Sequence, residues 1–223
     1  MDVLYYERDS YSAGKLYGPA QVIGDAIRLT ETTVGQLGYY VYTPSTLSYS
    51  AFYIRFYFRI GFGNGADAVW LGLFDSDYNG TAEDVVSGGY HFTFDEYQFR
   101  VAFTKGTLGN EEPIVSASVS REYLMNYSWH LAEILFDRLK TRAVILLDGV
   151  KLVDATDSTP QSNSTQGVGL IVFGGRTGGM YNEHWVKDIM IIVNETGVDD
   201  ILTWYKSICR RFLPAKRVLP SVR

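Results

Sequence analysis

Residues Ala51 to Ile60 read A-F-Y-I-R-F-Y-F-R-I, with Arg55 and Arg59 interspersed among aromatic and β-branched side chains. Such residues suit a pleated, half-buried surface, and the run has the length of a strand. Val69 to Phe74, V-W-L-G-L-F, is nearly continuous apolar sequence, as expected for a central strand buried on both faces. Tyr90 to Phe94 alternates, and so does Phe99 to Thr104. Further strands are predicted at 21–30, 37–43, 113–119, 129–136, 142–148, 167–173 and 185–193. Turn signals separate them: Gly61 to Gly65, Ser87 to Gly89, Lys105-Gly106, Asp148-Gly149 and Gly174-Gly175. Asp148-Gly149 is the sharpest, because Asp-Gly between apolar runs favours a two-residue hairpin turn. About a dozen short strands with closely spaced turns predict an all-β protein, an antiparallel β-sandwich of the jelly-roll kind. The long loops fall at 75–88 and 154–166.

Composition agrees. The 223 residues fit one sandwich, and 46% hydrophobic with 20% charged residues is globular rather than disordered. Cys209 is the only cysteine, so no intramolecular disulfide exists and burial alone holds the core. The start, Met1 to Gly14, is too acidic and too short of apolar residues for a signal peptide. No stretch approaches the roughly 20 apolar residues of a membrane span. The chain is therefore expected to be soluble when made, or delivered by something larger.

Residues 199–213 depart from period two. They read D-D-I-L-T-W-Y-K-S-I-C-R-R-F-L, with apolar residues recurring at three and four, Asp199 or Asp200 to cap the start and Pro214 to stop the end. The sequence thus divides into a sandwich domain, 1–198, and a basic amphipathic helix with an extended tail, 199–223. Six basic and no acidic side chains lie beyond residue 200; taking those six from the net charge of −5 leaves −11 on residues 1–200. Such an end suits an anionic partner, a membrane surface or an acidic neighbour through Trp204, Lys206, Arg210, Arg211, Lys216 and Arg217. The same helix could instead pack back on its own sandwich.

Catalytic sets are missing. His91, His130 and His184 sit in or beside predicted strands without a nucleophile context. One cysteine and three scattered histidines do not make a zinc site, so no metal and no cofactor is expected. Asp95 and Glu96 point to opposite faces of a strand, and Glu133 and Asp137 would lie about 13 Å apart, too far for a glycosidase pair. Glu133 is the least unsuitable candidate for that chemistry. Asp75 to Gly80 resembles the start of a calcium loop but lacks the distal Glu. The Gly174 to Gly179 run joins strands rather than opening a helix, so it is no phosphate loop. The acidic body argues against nucleic acid. The chain is expected to bind or build rather than catalyse. Four of the seven asparagines, Asn79, Asn126, Asn163 and Asn194, stand in N-x-[S/T] sequons, where chance predicts about one, and are candidate glycosylation sites.

The stretches A-D-A-V-W-L-G-L-F, G-G-Y-H-F-T-F-D-E-Y, W-H-L-A-E-I and G-V-G-L-I-V-F-G-G follow the order of the concanavalin A-like lectin and laminin G-like jelly roll, which residues 66–193 resemble. In legume-type lectins the segment matching Thr93 to Tyr97 supplies metal ligands. Asp95 and Tyr97 match, but Thr93 stands for an acid and Phe99 for an Asn, which implies a lost metal pair. Asp67 matches the sugar-binding Asp. This resemblance implies a non-catalytic carbohydrate-binding module outside the cell or at its surface. The whole chain is similar to the penton-base (vertex) proteins of the turreted icosahedral viruses of hyperthermophilic archaea. That resemblance implies a structural virion protein, a pentamer at the capsid vertex contacting turret and major capsid proteins, with its tail toward an internal membrane or a membrane-anchored vertex protein.

Overall fold

A computed structural model describes residues 2–7, 11–43, 49–65, 67–74, 89–107, 110–160, 169–195 and 197–212. Among them the elements run β1 (Asp2–Glu7), β2 (Gly14–Tyr17), β3 (Gln21–Ile23), β4 (Ala26–Thr30), β5 (Leu37–Tyr42), β6 (Ala51–Gly63), β7 (Ala68–Phe74), β8 (Gly89–Asp95), β9 (Arg100–Thr107), β10 (Asn110–Ser118), α1 (Arg121–Leu124), β11 (His130–Asp137), β12 (Arg142–Leu147), β13 (Val150–Thr156), β14 (Leu170–Arg176), β15 (Asn182–Asn194) and α2 (Ile201–Phe212).

The strands form two antiparallel sheets. One has the order β13-β12-β11-β6-β15-β4-β3, with β1 also pairing with β15; the other is β10-β9-β8-β7-β14-β5-β2. Sequence neighbours often lie in different sheets, as in a jelly roll. The fold is the all-β antiparallel sandwich that the alternation predicts, with a short C-terminal helix.

β6 shows how the pattern builds the core. Its even residues, Phe52, Ile54, Phe56, Phe58 and Ile60, are wholly buried between the sheets. Phe58 meets Phe94 at 4.5 Å between ring centroids, and Phe56 meets Phe173 at 5.1 Å. Each such side chain contributes about 1.5–3 kcal/mol by leaving water. The odd residues face outward, since strand side chains alternate. Ala51 and Tyr53 lie under α2, while Arg55, Tyr57 and Arg59 are half-buried on the open part of that face.

Gly61 to Gly63 and Lys105-Gly106, expected in turns, lie within β6 and β9, and three further local readings are corrected. The predicted strand 21–30 is a hairpin, β3–β4, because Gly24 adopts φ 63° and the chain turns there. Gly174-Gly175 is not a turn but lies inside β14. The Trp70 ring fills the place of a side chain at 174, and a Cβ there would come within 2.1 Å of it. The predictions passed over β1 and β2, which are edge strands. The Asp148-Gly149 turn forms as expected, with φ of 49° and 80° at its two residues. The 75–88 loop, with its calcium-like Asp75 to Gly80, lies outside the described residues.

Helix α2 packs on its own sandwich. The Asp200 carboxylate accepts from the Thr203 amide at 2.8 Å, capping the start. Ile201, Trp204 and Ile208 are buried against Ala51, Tyr53, Leu135, Val144, Leu146 and Ile192. Beneath the helix, Glu133 Oε1 accepts from the Tyr53 hydroxyl at 2.7 Å and from the Tyr205 hydroxyl at 2.9 Å. Burial and the neighbouring carboxylate push both hydroxyls well above the ordinary tyrosine range, so both remain donors. Tyr205→Phe removes one bond to a buried carboxylate and is expected to cost about 1–2 kcal/mol in chemical denaturation.

Candidate functional site

Three segments meet on the outer face of the seven-stranded sheet, toward one end of its central strands. The start of β7 brings Asp67, Ala68 and Trp70. The β8–β9 hairpin brings Thr93, Asp95, Tyr97, Gln98, Arg100 and Thr104. The end of β14 brings Arg176. Together they line a cleft of about 260 Å³.

The hairpin turn is set by Asp95. Its Oδ1 accepts from the amides of Tyr97 at 3.0 Å and Gln98 at 2.8 Å, and its Oδ2 accepts from Arg100 Nε at 3.2 Å. Burial pushes the Asp95 carboxyl above its ordinary value, against the pull of those donors. The turn is anchored from behind. Glu96 reaches the wholly buried His184, Nε2 to Oε1 at 3.0 Å, and His184 Nδ1 contacts the Thr30 hydroxyl at 2.8 Å. Tyr97 is thereby presented at 62% exposure on the rim. Across the cleft, Arg176 Nε pairs with Asp67 Oδ2 at 3.0 Å. Gly178 crowds the same carboxylate, since a Cβ there would stand 2.9 Å from Asp67 Oδ1.

The floor is chemically unfinished. Trp70 Nε1, Thr93 Oγ1 and Thr104 Oγ1 are buried and have no hydrogen-bond partner among the described residues. Buried polar atoms are almost always satisfied. All three belong to residues that line the same cleft.

A divalent cation does not fit here. Calcium takes 6–8 oxygen ligands. Asp95 spends both oxygens on N–H donors, Thr93 and Phe99 replace an acid and an amide, and Arg100 and Arg176 already supply positive charge beside the two aspartates. No cluster of three metal-ligating side chains occurs among the described residues. Guanidinium groups thus supply positive charge beside both aspartates.

Other predicted residues lie elsewhere. Glu133 is bound under α2 with no facing carboxylate among the described residues, so it has no place in a glycosidase pair. Trp204 is buried in the helix seam, whereas Lys206, Arg210 and Arg211 are exposed. Asn126 is exposed beside α1, its Oδ1 accepting from the Ser128 amide at 2.8 Å, and Asn194 ends β15 half-buried. Asn79, Asn163, Lys216 and Arg217 lie outside the described residues. Sequence reading found Asp67, Thr93, Asp95 and Tyr97 but missed Arg100, Arg176, Trp70 and Thr104. Spacing alone gives no sign that residues 67 and 176 will pair.

No family model matches the sequence, and no curated protein matches it. Solved structures do. The metal-free form of lectin I-B4 from Griffonia simplicifolia superposes with a TM-score of 0.66 at 14% identity, covering 82% of this chain and 93% of its own. The exoplasmic/lumenal domain of VIP36, in its Ca²⁺/mannose-bound form, gives 0.64 at 12%, covering 84% and 86%. Lectin II from Ulex europaeus gives 0.63 at 14%, covering 82% and 93%. These matches correct the likeness to archaeal viral penton-base proteins. Two lectins and the VIP36 domain each overlay more than four-fifths of the chain. The expected pentameric vertex, the turret and capsid partners, the internal-membrane contact and the virion location all rested on that likeness and are withdrawn. The architecture is that of the concanavalin A-like, legume-lectin jelly roll.

Proposed function

We propose that the protein is a non-catalytic carbohydrate-binding module that holds a saccharide in the Asp67–Arg176 cleft. The carrying observation is the unfinished floor. Trp70 Nε1 and the hydroxyls of Thr93 and Thr104 offer donors and acceptors with no partner among the described residues. A sugar presents hydroxyls that both donate and accept, along with a face of C–H groups. Asp67 offers an acceptor and Arg176 a donor on the rim, and the exposed Tyr97 ring offers an apolar face. Concave sites with a few convergent polar groups are the usual form of small-molecule pockets. The matched structures that carry mannose or galactose support the reading. A cell-surface, lumenal or extracellular setting goes with it, as does glycan attachment at Asn126.

The test is a glycan array followed by calorimetry on the full chain. A saccharide ligand is expected, with affinity unchanged by chelator or added Ca²⁺. Asp67→Ala is expected to weaken it at least tenfold, with the melting temperature little changed. An array that stays silent with folded protein, or binding abolished by chelator, overturns the reading.

A further inference from the structure

Asn-Gly occurs twice in the chain, at Asn64-Gly65 and Asn79-Gly80. The first pair lies in the connection from β6 to β7, just ahead of Asp67 on the cleft rim. Asn64 is exposed and is bound across to the connection between β14 and β15. Its amide donates to the Tyr181 carbonyl at 3.0 Å, and its Oδ1 accepts from the Tyr181 amide at 2.9 Å. The side-chain carbonyl thus takes the place that a main-chain carbonyl holds in an antiparallel pair. Asn64 Nδ2 meets no acceptor among the described residues.

Gly65 follows with φ of 101°, a conformation that favours glycine. Its N–H reaches Asn182 Oδ1 only at 3.5 Å, the outer limit of a hydrogen bond, and is weakly held. An Arg121 guanidinium nitrogen stands 3.9 Å from the point that a Gly65 Cβ would occupy. Arg121 rests against Phe99, 6.0 Å from the ring centroid, in a pocket of about 150 Å³ that Asn64 and Gly65 also line. The Glu96 carboxylate in that pocket is engaged by His184 at 3.0 Å.

We infer that Asn64-Gly65 is a self-modifying site, where the side-chain amide of Asn64 is lost by attack of the Gly65 nitrogen. A base from solvent takes the Gly65 N–H proton, Gly65 N bonds to Asn64 Cγ, and Nδ2 takes up a proton and leaves as ammonia. The succinimide then adds one water. Opening at Cγ gives aspartate, and opening at the main-chain carbonyl gives isoaspartate. One water enters and one ammonia departs, with no oxidant or reductant. The surroundings suit each step. The Tyr181 N–H already points at the oxygen that gains negative charge as Cγ becomes tetrahedral. The fixed charge of Arg121 favours loss of the nearby amide proton. The leaving nitrogen has no bond to break. Isoaspartate lengthens the main chain by one carbon just ahead of Asp67, so the modification reaches the cleft rim. The site itself does not depend on what the cleft holds.

Peptide mapping by mass spectrometry, after the full chain is incubated in heavy-oxygen water at neutral pH, tests the inference. Cleavage ahead of Asp67 separates the two Asn-Gly pairs. Heavy oxygen is expected at position 64 of the folded chain at a rate no lower than in the chain unfolded by urea. Arg121→Gln is expected to slow that uptake at least threefold in the folded chain and to leave the rate in urea unchanged. Arg121→Lys, which keeps the charge, is expected to stay within twofold of the parent. A folded rate below the rate in urea would mean that the fold protects Asn64, and would overturn the inference. Equal folded rates in the parent and Arg121→Gln would overturn the part given to Arg121.

Discussion

Asp157→Ala strands the Lys105 ammonium in the interior and lowers stability by about 3–5 kcal/mol, the usual cost of removing one partner of a buried ion pair. Lys105 Nζ lies 3.1 Å from Asp157 Oδ1 and 2.7 Å from both the carbonyl and the hydroxyl of Thr159. The two side chains are 7% and 3% exposed. Tyr90 donates to Asp157 Oδ2 at 3.0 Å. Lys105 and Tyr90 belong to β9 and β8, whereas Asp157 follows β13, so this network ties the two sheets together. Urea denaturation reads the loss. Lys105→Met combined with Asp157→Leu is expected to recover most of it, since no lone charge then remains. The network also sets part of the acid response. Burial pushes the Asp157 carboxyl up, but the Thr159 amide, Lys105 and Tyr90 outweigh it and hold the group below its ordinary value. Its stabilisation is therefore present above the unfolded carboxyl range and is lost as pH falls through the lower folded value. The double variant is expected to flatten that limb of the stability curve. A network worth nothing would give the same loss on acidification in both proteins.

Gly38→Ala is the second large effect. Gly38 lies on β5 opposite Gly175 of β14, and it faces the backbone of β4 in the other sheet. A Cβ at this position would fall 1.7 Å from the Leu29 carbonyl oxygen and 2.7 Å from its carbon. Neither atom can rotate away, so the strands must separate. Overpacking commonly costs 1–3 kcal/mol, and a collision between two backbones belongs at about 3 kcal/mol or beyond. Gly179→Ala is the control, since nothing lies within 4 Å of its would-be Cβ; it is expected to melt with the parent. Equal melting of the two variants would mean that the sheets do not approach as closely as described.

Much of this architecture was legible in the sequence because alternation is a local signal. β6, β7, β8 and β9 follow directly from their side-chain order, the Asp148-Gly149 turn from its chemistry, and α2 from residues recurring at three and four. Edge strand β2 escaped because none of its four residues is buried, which leaves no alternation to read. Gly174-Gly175 misled for a different reason: its glycines make room for Trp70, a long-range cause that no window around them contains. The cleft was half legible. Asp67 and Asp95 follow from the resemblance to lectins, but their guanidinium partners depend on pairing β14 with β7 and β8 with β9. The basic C-terminal segment suggested an external partner for Trp204, and the structure spends that side chain on the protein's own sheet. Charge and amphipathicity say that a helix has an apolar face, and not which surface covers it.

The placement of the four tryptophans has a practical consequence. Trp70 forms the cleft floor, Trp129 and Trp185 flank Arg59, and Trp204 sits on the buried face of α2. Each region of interest thus contains its own intrinsic fluorophore. Chains retaining one indole each would give an unlabelled optical signal for saccharide entry, for changes on the outer face of the opposite sheet, and for lifting of the terminal helix.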